Sequence, residues 1–415
     1  MLDTLFPKVS NKCLALPVFG PVIEDFVGWL VQQDYTRPRI RNMLVTVRRL
    51  DRYLRRKGIH RVDDLGSQTL HRHWKSLRRR VPTEAGAVHV MERFLRLRGV
   101  VESCEVSTPT SLQLAEYSEY LRDVRGLRPA SIHEQVTIVA QFLAHISFDK
   151  ARQRLATIDS GDIEGYVRKI SKSINRATLR DRIGKFRLFL RFLAAKGKVS
   201  SKLADQIDLP RVYRFEKLPR TLGWKTVQAL LRSIPKTTVK GLRDYTMIFL
   251  MVAYGLRGCE VAALTLDDVE WKKGLLRIRQ TKTNNELNLP LTDEAARTLI
   301  DYLHRVPRPV GARHLFFRLY APIRPISRGA LTSAFETWAQ QSGLGIPFKG
   351  PHCLRHTYAV HLLKQDTSLK TIGDLLGHRS TTSTAGYIRL ATEELRQVGL
   401  AVPQTSGKKG GRHEN

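Results

Sequence analysis

Residues Gly350 to Leu363, GPHCLRHTYAVHLL, carry three histidines and an arginine in one run of helical apolar spacing. Gly350-Pro351 is a helix-start signal, because the N–H that proline lacks has no helical partner in the first turn anyway. The spacing predicts a helix on which His352 and Arg355 share one face of the first turn, where unpaired backbone N–H groups and the helix dipole also draw an anion. Leu354, Tyr358 and Leu362 take the packing positions, and His356 and His361 read as satisfied polar residues between them. His352 and His356 also have the spacing of the two histidines in the HExxH zinc helix. Cys353 stands where that motif has its glutamate, however, and Arg355 would repel a cation, so no metal is expected.

Outward from this helix, the C-terminal block carries the clear strand signals. TVQALLRSI and LRDYTMIFLMVAYGLRGCEVAALTLDDV read as helices, with Gly255 and Gly258 marking a turn. In GLLRIRQTKTNNELNLPLT the alternating segments Leu275 to Thr281 and Glu286 to Leu291 predict a β-hairpin, joined by Lys282, Thr283, Asn284 and Asn285. Everything after Thr292 reads as helix. Arg257 precedes Glu260 by three residues, a spacing that lets the carboxylate hold the guanidinium at a helix start. In DLLGHRSTTSTAGYIRL, Gly377 ends a helix, His378 sits just past it, and Ser380 is placed to cap the next, which bears Tyr387. On spacing alone, Tyr387 is half-buried packing and Arg257 an ordinary salt bridge.

Towards the N-terminus, FVGWLVQQDYTRPRIRNMLVTVRRLDRYLRRKG can be laid beside YSEYLRDVRGLRPASIHEQVTIVAQFLAHI, with Arg37-Pro38 on Arg128-Pro129. Each copy continues into a further helical stretch, VHVMERFLRLRGV or IGKFRLFLRFLAAKGKV, so each reads as a small helical bundle. Leu44, Val47, Leu50 and Leu54 recur at helical spacing, and Arg48, Arg49, Arg52, Arg55 and Arg56 fill the other positions. That basic face, with Arg128, Arg180 and Lys185 of the second copy, supplies candidate phosphate contacts; a merely solvated charged face is the plainer alternative for any one arginine. Residues 208–221 form a Pro-rich, basic linker expected to run extended. The expected organisation is 1–105, an N-terminal helical DNA-binding domain; 110–207, a second bundle; 208–221, linker; 222–402, a mixed, mostly helical domain; and 403–415, a disordered tail.

The chain has 415 residues, with 70 Lys+Arg against 38 Asp+Glu, a formal surplus of +32. Neutralising phosphates releases condensed counterions, so such a surplus points to nucleic acid before an anionic membrane. Cys13, Cys104, Cys259 and Cys353 lie far apart without a CxxC pair, as reduced thiols do. No long apolar run and no secretory signal pattern is seen, so a cytoplasmic location is expected.

These motifs together resemble the tyrosine recombinases, the phage-integrase family, over Leu222 to about Val402. The family pattern is an arginine in Gly-Leu-Arg-x-x-Glu, a lysine in a β-hairpin, a His-x-x-Arg helix start, a Leu-Gly-His and then a tyrosine; here they run Arg257, Lys282, His352 with Arg355, His378 and Tyr387. Block 110–207 is similar to the family's core-binding domain, and block 1–105 departs from the simplest plan as a second such bundle. The resemblance implies a mainly α fold, one or two helical bundles followed by a catalytic domain with a small antiparallel hairpin or sheet. It implies DNA cleavage and rejoining through a 3′-phosphotyrosyl intermediate on Tyr387, for integration, excision or transposition of a mobile element. Arg257 and Arg355 would clamp the phosphate, Glu260 support, His352 act as base, His378 donate a hydrogen bond and Lys282 protonate the leaving 5′-oxygen. It implies no cofactor, four protomers on two DNA duplexes in a prokaryotic, nucleoid-associated setting, and possible partner recombinases. Alternative readings are an accessory DNA-binding subunit without cleavage, or type IB topoisomerase-like strand relaxation. The target site and the need for accessory proteins are not legible in one sequence.

Overall fold

The computed structural model describes residues 1–66, 68–101, 108–213, 216, 219–280, 285–377, 384, 386 and 387. These are mostly helical, with one small sheet, and the chain divides into two compact units. One comprises Phe6–Phe26 and Asn42–Glu216; the other comprises Met1–Leu5, Val27–Arg41 and Lys217–Asn415.

The N-terminal half runs α1 (Leu2–Leu5), α2 (Pro7–Leu14), α3 (Gly20–Gln32), α4 (Arg37–Arg55), α5 (Thr69–Leu77), α6 (Pro82–Leu97), α7 (Pro109–Glu119), α8 (Pro129–His145), α9 (Ser160–Ser171) and α10 (Arg176–Ala195). The stretches α3 to α6 and α7 to α10 repeat one order: two helices, a 3-10 turn at Val62–Asp64 or Arg152–Leu155, and two more helices. In α4, Leu44, Val47, Leu50 and Leu54 are buried, as their spacing predicts. Asp51 interrupts that face yet is fully buried, and its Oδ1 accepts the backbone N–H groups of Val18 at 3.0 Å and Phe19 at 3.2 Å. A buried carboxylate is tolerable here because backbone donors meet it. The stretch from Tyr117 to Ile207 has its own core, with Phe142, Phe186, Phe189 and Leu190 at its centre. The Tyr117 hydroxyl donates to Gln135 at 2.9 Å and that of Tyr166 to the Ile138 carbonyl at 3.2 Å, so both rings bury their apolar bodies with the polar tips satisfied.

In the second unit follow α11 (Trp224–Ser233), α12 (Val239–Tyr254), α13 (Gly258–Ala263), β1 (Val269–Glu270), β2 (Leu275–Arg279), β3 (Glu286–Pro290), α14 (Asp293–Arg305), α15 (Arg328–Gln341), α16 (His352–Leu363) and α17 (Leu369–Leu376). Helix α12 is buried on nearly every side and carries the core, including a fully buried Asp244 that accepts from Arg243 Nε and Trp338 Nε1, each at 2.9 Å. The sheet is antiparallel in the order β1-β2-β3, and β2 and β3 pair from Leu275 opposite Pro290 to Arg279 opposite Glu286. This is the expected hairpin, with Leu276 and Ile278 turned inward; its loop residues 281–284 lie outside the described residues.

Two features differ from the sequence reading. The two-residue strand β1 is too short to show any periodicity, so the sequence does not announce the hairpin's third partner. Residues 306–327 are not helical either, but irregular, with isolated bridges Thr265 to His314 and Phe317 to Pro325. Pro307, Pro309, Pro322 and Pro325 explain it, since each lacks a helical donor and restricts the residue before it. Among the described residues no helix is long and apolar enough to cross a membrane.

Candidate active site

The site grows from two helix ends. Helix α12 stops at Gly255, which is left-handed at φ 63°, and a Cβ there would come within 2.5 Å of the Tyr358 ring. Only glycine satisfies both conditions. The break delivers Arg257 to the start of α13, where Glu260 holds it twice: Oε2 accepts the Arg257 backbone N–H at 2.8 Å, and Oε1 accepts its guanidinium at 2.6 Å. The expected three-residue pairing is therefore present, with the carboxylate 3% exposed.

Helix α16 begins at His352, as the Gly-Pro signal predicts. His352 is exposed, whereas Arg355 on the same turn is 2% exposed and points inward. Its Nη1 donates to the Gly255 carbonyl at 2.8 Å and its Nη2 to the Leu376 carbonyl at 2.5 Å. These carbonyls close α12 and α17, where the helix dipoles are negative, so the cation is held between two helix C-termini. Burial first, and then the charge of Arg257, pull the Arg355 guanidinium down to about 10, with Glu260 the leading opposing influence. It remains a cation at neutral pH.

Tyr387 is 3% exposed, packed with Ala359, Ile372 and Leu376. Burial makes its hydroxyl harder to ionise, raising its pKa, and the positive charges of Arg355 and Arg257 act to lower it. Its hydroxyl lies 3.0 Å from His356 Nδ1. This corrects the reading of His356 as a merely satisfied polar residue: it contacts the candidate nucleophile, and the His352 ring meets the His356 ring edge-on at 4.5 Å. The bland reading of His361 stands, since that ring stacks flat on Trp224 at 3.7 Å.

Gln280 joins the site as well. It is 2% exposed, its backbone N–H donates to the Asn285 carbonyl at 2.9 Å across the hairpin neck, and its Nε2 donates to the Leu376 carbonyl at 3.2 Å. That carbonyl is the one Arg355 uses. The next residue, Gly377, is left-handed at φ 62°, and a Cβ there would fall 2.0 Å from Gln280 Nε2. Lys282, His378 and Ser380 lie outside the described residues, as does everything after Tyr387. The described flanks of Lys282 and His378, namely Gln280 and Gly377, meet. No signal short of the fold marks Gln280; His356 had one, its helical spacing from His352.

The candidate phosphate contacts fall into two groups. Arg49 pairs with Glu84, Arg55 approaches Asp51 at 3.2 Å, and Lys185 lies between Asp181 at 2.6 Å and Glu134 at 2.7 Å. Arg52, Arg56 and Arg128 are exposed, Arg48 is half-buried, and exposed Arg180 reaches the Val212 carbonyl at 3.4 Å.

Comparison with known proteins bears on the same residues. The phage integrase family pattern matches residues 221–394. The integrase/recombinase y4rA of Sinorhizobium fredii (strain NBRC 101917 / NGR234) is 30% identical over 403 residues, covering 95% of this chain and 98% of that protein. The tyrosine recombinase XerD of Listeria monocytogenes serotype 4b (strain F2365) is 29% identical over 295 residues, covering 69% of this chain and 96% of its own length. Among solved structures, the XerH site-specific recombinase on its palindromic difH substrate, in a post-cleavage complex, shares the fold with a TM-score of 0.55 at 19% identity, over 70% of this chain and 83% of that one. With a relative matched along nearly its whole length and the arginines, histidines and tyrosine gathered at one site, the chain belongs to the phage integrase family, the tyrosine recombinases, as a DNA strand-breaking and rejoining enzyme.

Proposed function

We propose that the chain recombines duplex DNA at a specific site by forming a 3′-phosphotyrosyl bond through Tyr387, in the integration, excision or transposition of a mobile element. The observation that carries this reading is the placement of the Tyr387 hydroxyl on a histidine and within the fields of Arg355 and Arg257. A phosphodiester is an anion that repels nucleophiles, so attack needs fixed positive charge where charge grows on the phosphoryl oxygens. Guanidinium groups meet this need through paired N–H bonds and a charge that persists at neutral pH. Arg257, held by Glu260, and Arg355, held by two carbonyls, are pre-positioned and need little reorganisation as the reaction proceeds. His352, exposed at the first turn of α16, faces the phosphate; the phenol proton leaves to a histidine of this helix. Lys282 gives the departing 5′-oxygen its proton, and His378 donates a hydrogen bond to the phosphate.

The intermediate keeps the energy of the broken bond, so a second 5′-hydroxyl reverses the step onto a new partner without ATP or a cofactor. Two such exchanges require four protomers on two duplexes, with partner recombinases able to supply some of them. A lambda integrase of the same fold has been seen as a tetramer bound to a Holliday junction, which supports this arrangement. Residues 1–105 and 110–207 serve as tandem helical DNA-binding domains, and 222–402 as the catalytic domain, acting in the prokaryotic cytoplasm at the nucleoid. The repeated helix order along the N-terminal half supports the tandem reading.

The test is a covalent capture without metal. The protein is mixed with end-labelled duplexes carrying a randomised core and a nick, which traps cleaved product because the short fragment diffuses away. DNA that stays on the protein through denaturation is sequenced, and the enriched duplex is resynthesised. The wild type should give a protein–DNA adduct on a denaturing gel and Tyr387→Phe none; an adduct from Tyr387→Phe, or none from the wild type, overturns the assignment.

A further inference from the structure

We propose that His356, rather than His352, takes the phenol proton from Tyr387 when the tyrosine attacks DNA. The inference rests on Tyr387 being the nucleophile and names a catalytic residue for that step. Its basis is positional. His352 stands at the exposed start of α16, and His356, one turn on and half-buried, lies against both the His352 ring and the Tyr387 hydroxyl. The Nδ1 to hydroxyl separation of 3.0 Å is that of a made hydrogen bond, which a phenol donates to an imidazole nitrogen with an open lone pair. Acting as the acceptor there requires the tautomer that carries its proton on Nε2.

The surroundings ask for such an acceptor. Buried against Ala359, Ile372 and Leu376, the phenol holds its proton more firmly than in water, and Arg355 and Arg257 pull the other way by favouring the phenolate. A base touching the hydroxyl and two cations beside it together turn a poor nucleophile into a competent one. In cleavage, the Tyr387 O–H bond breaks as an N–H bond forms on His356 Nδ1. The phenolate oxygen bonds to phosphorus, the bond from phosphorus to the 5′-oxygen breaks, and that oxygen takes its proton from a separate acid, Lys282. In rejoining, the imidazolium returns its proton to the departing phenolate, so the site ends neutral as it began. His352 keeps its exposed place beside the phosphate.

The test uses the full chain and the duplex recovered by covalent capture, under single-turnover conditions. His356→Asn keeps a hydrogen-bonding amide beside the phenol but has no basic nitrogen. It should slow adduct formation on the order of a hundredfold or more, the lower range for lost general-base catalysis, with duplex binding and melting temperature retained. Should it not fold, His356→Gln takes its place. A fluorinated tyrosine at position 387, whose phenol ionises more readily, should recover much of the loss, which repair of a packing defect would not. A substrate with sulfur at the bridging 5′ position releases a thiolate that needs no proton, and should rescue Lys282→Ala but leave His356→Asn slow. A wild-type rate for His356→Asn, no response to the fluorinated tyrosine, or rescue by sulfur each overturns the proposal. A wild type that forms no adduct overturns the nucleophile assignment and this one with it.

Discussion

At the scale of single residues, Arg355 shows how a charge is made useful by being held. Its guanidinium spans two carbonyls that lie in different directions, Gly255 and Leu376. A lysine ammonium keeps the charge but lacks the planar fork, so it cannot reach both. Arg355→Lys should lower the rate of adduct formation on the order of a hundredfold to a thousandfold, the scale of losing one preorganised donor, and leave a buried carbonyl unmet at about 1–3 kcal/mol of stability. Cleavage assays and chemical denaturation check the two parts. Ionisation gives a second prediction at this scale. Burial raises the hydroxyls of Tyr166, Tyr358 and Tyr387, that of Tyr302 to about 12, and the thiol of Cys353 to about 11. Each group binds its proton more tightly folded than unfolded, so its contribution is whole below the unfolded value, roughly 9 to 10, and is lost as pH rises above it. Arg355, depressed when folded, acts with the opposite sign, its strain easing between about 10 and its ordinary value. Several groups against one should make the melting temperature fall as pH rises from about 9 to 11. His352, Arg355 and Arg257 were legible because spacing on one helix turn is a local property. The partner of His356 was not, because it returns from 31 residues away along the chain.

At the scale of elements, the Leu376 carbonyl at the end of α17 accepts from both Arg355 of α16 and Gln280 at the end of β2. The hairpin bearing Lys282 is thereby tied to the turn that precedes His378. Gly377→Ala should upset this twice, by placing a Cβ 2.0 Å from Gln280 Nε2 and by occupying a φ of 62° that costs a side chain about 1–2 kcal/mol. Gln280→Ala alone should weaken cleavage more than duplex binding, since it loosens the tie without touching the basic faces. In the double variant the steric part of the Gly377→Ala penalty is removed, so a cycle of melting and cleavage measurements should show non-additivity. Additive effects would mean the two residues act independently. The hairpin and the helix starts were readable because β-alternation, Gly-Pro and Gly-Leu-Arg-x-x-Glu are periodic or stereochemical signals. Residues 306–327 carry no periodic signal, because an irregular segment is held by one bridge to distant Thr265 and one within itself, and only their prolines mark it.

For the whole molecule, a surplus of +32 charges dictates strong, salt-sensitive attraction to a polyanion but not which charges deliver it. Arg49 faces Glu84, and Lys185 is held between Asp181 and Glu134, so part of what each could offer a phosphate is already met within the protein. Arg52 and Arg56, from the same run as Arg49, are exposed. Each phosphate neutralised on duplex DNA adds about 0.9 to the slope of log affinity against log salt, so contacts can be counted by substitution. Binding of the full chain to duplex should weaken steeply as salt rises. Arg52→Ala and Arg56→Ala should each reduce the slope by about one unit, whereas Arg49→Ala and Lys185→Ala should reduce it by clearly less. Equal losses from all four would show that the internal carboxylates release their partners when DNA arrives, and that the surface rearranges on binding. A slope unmoved by any of the four would remove this basic face from the DNA interface and leave phosphate contact to other parts of the chain.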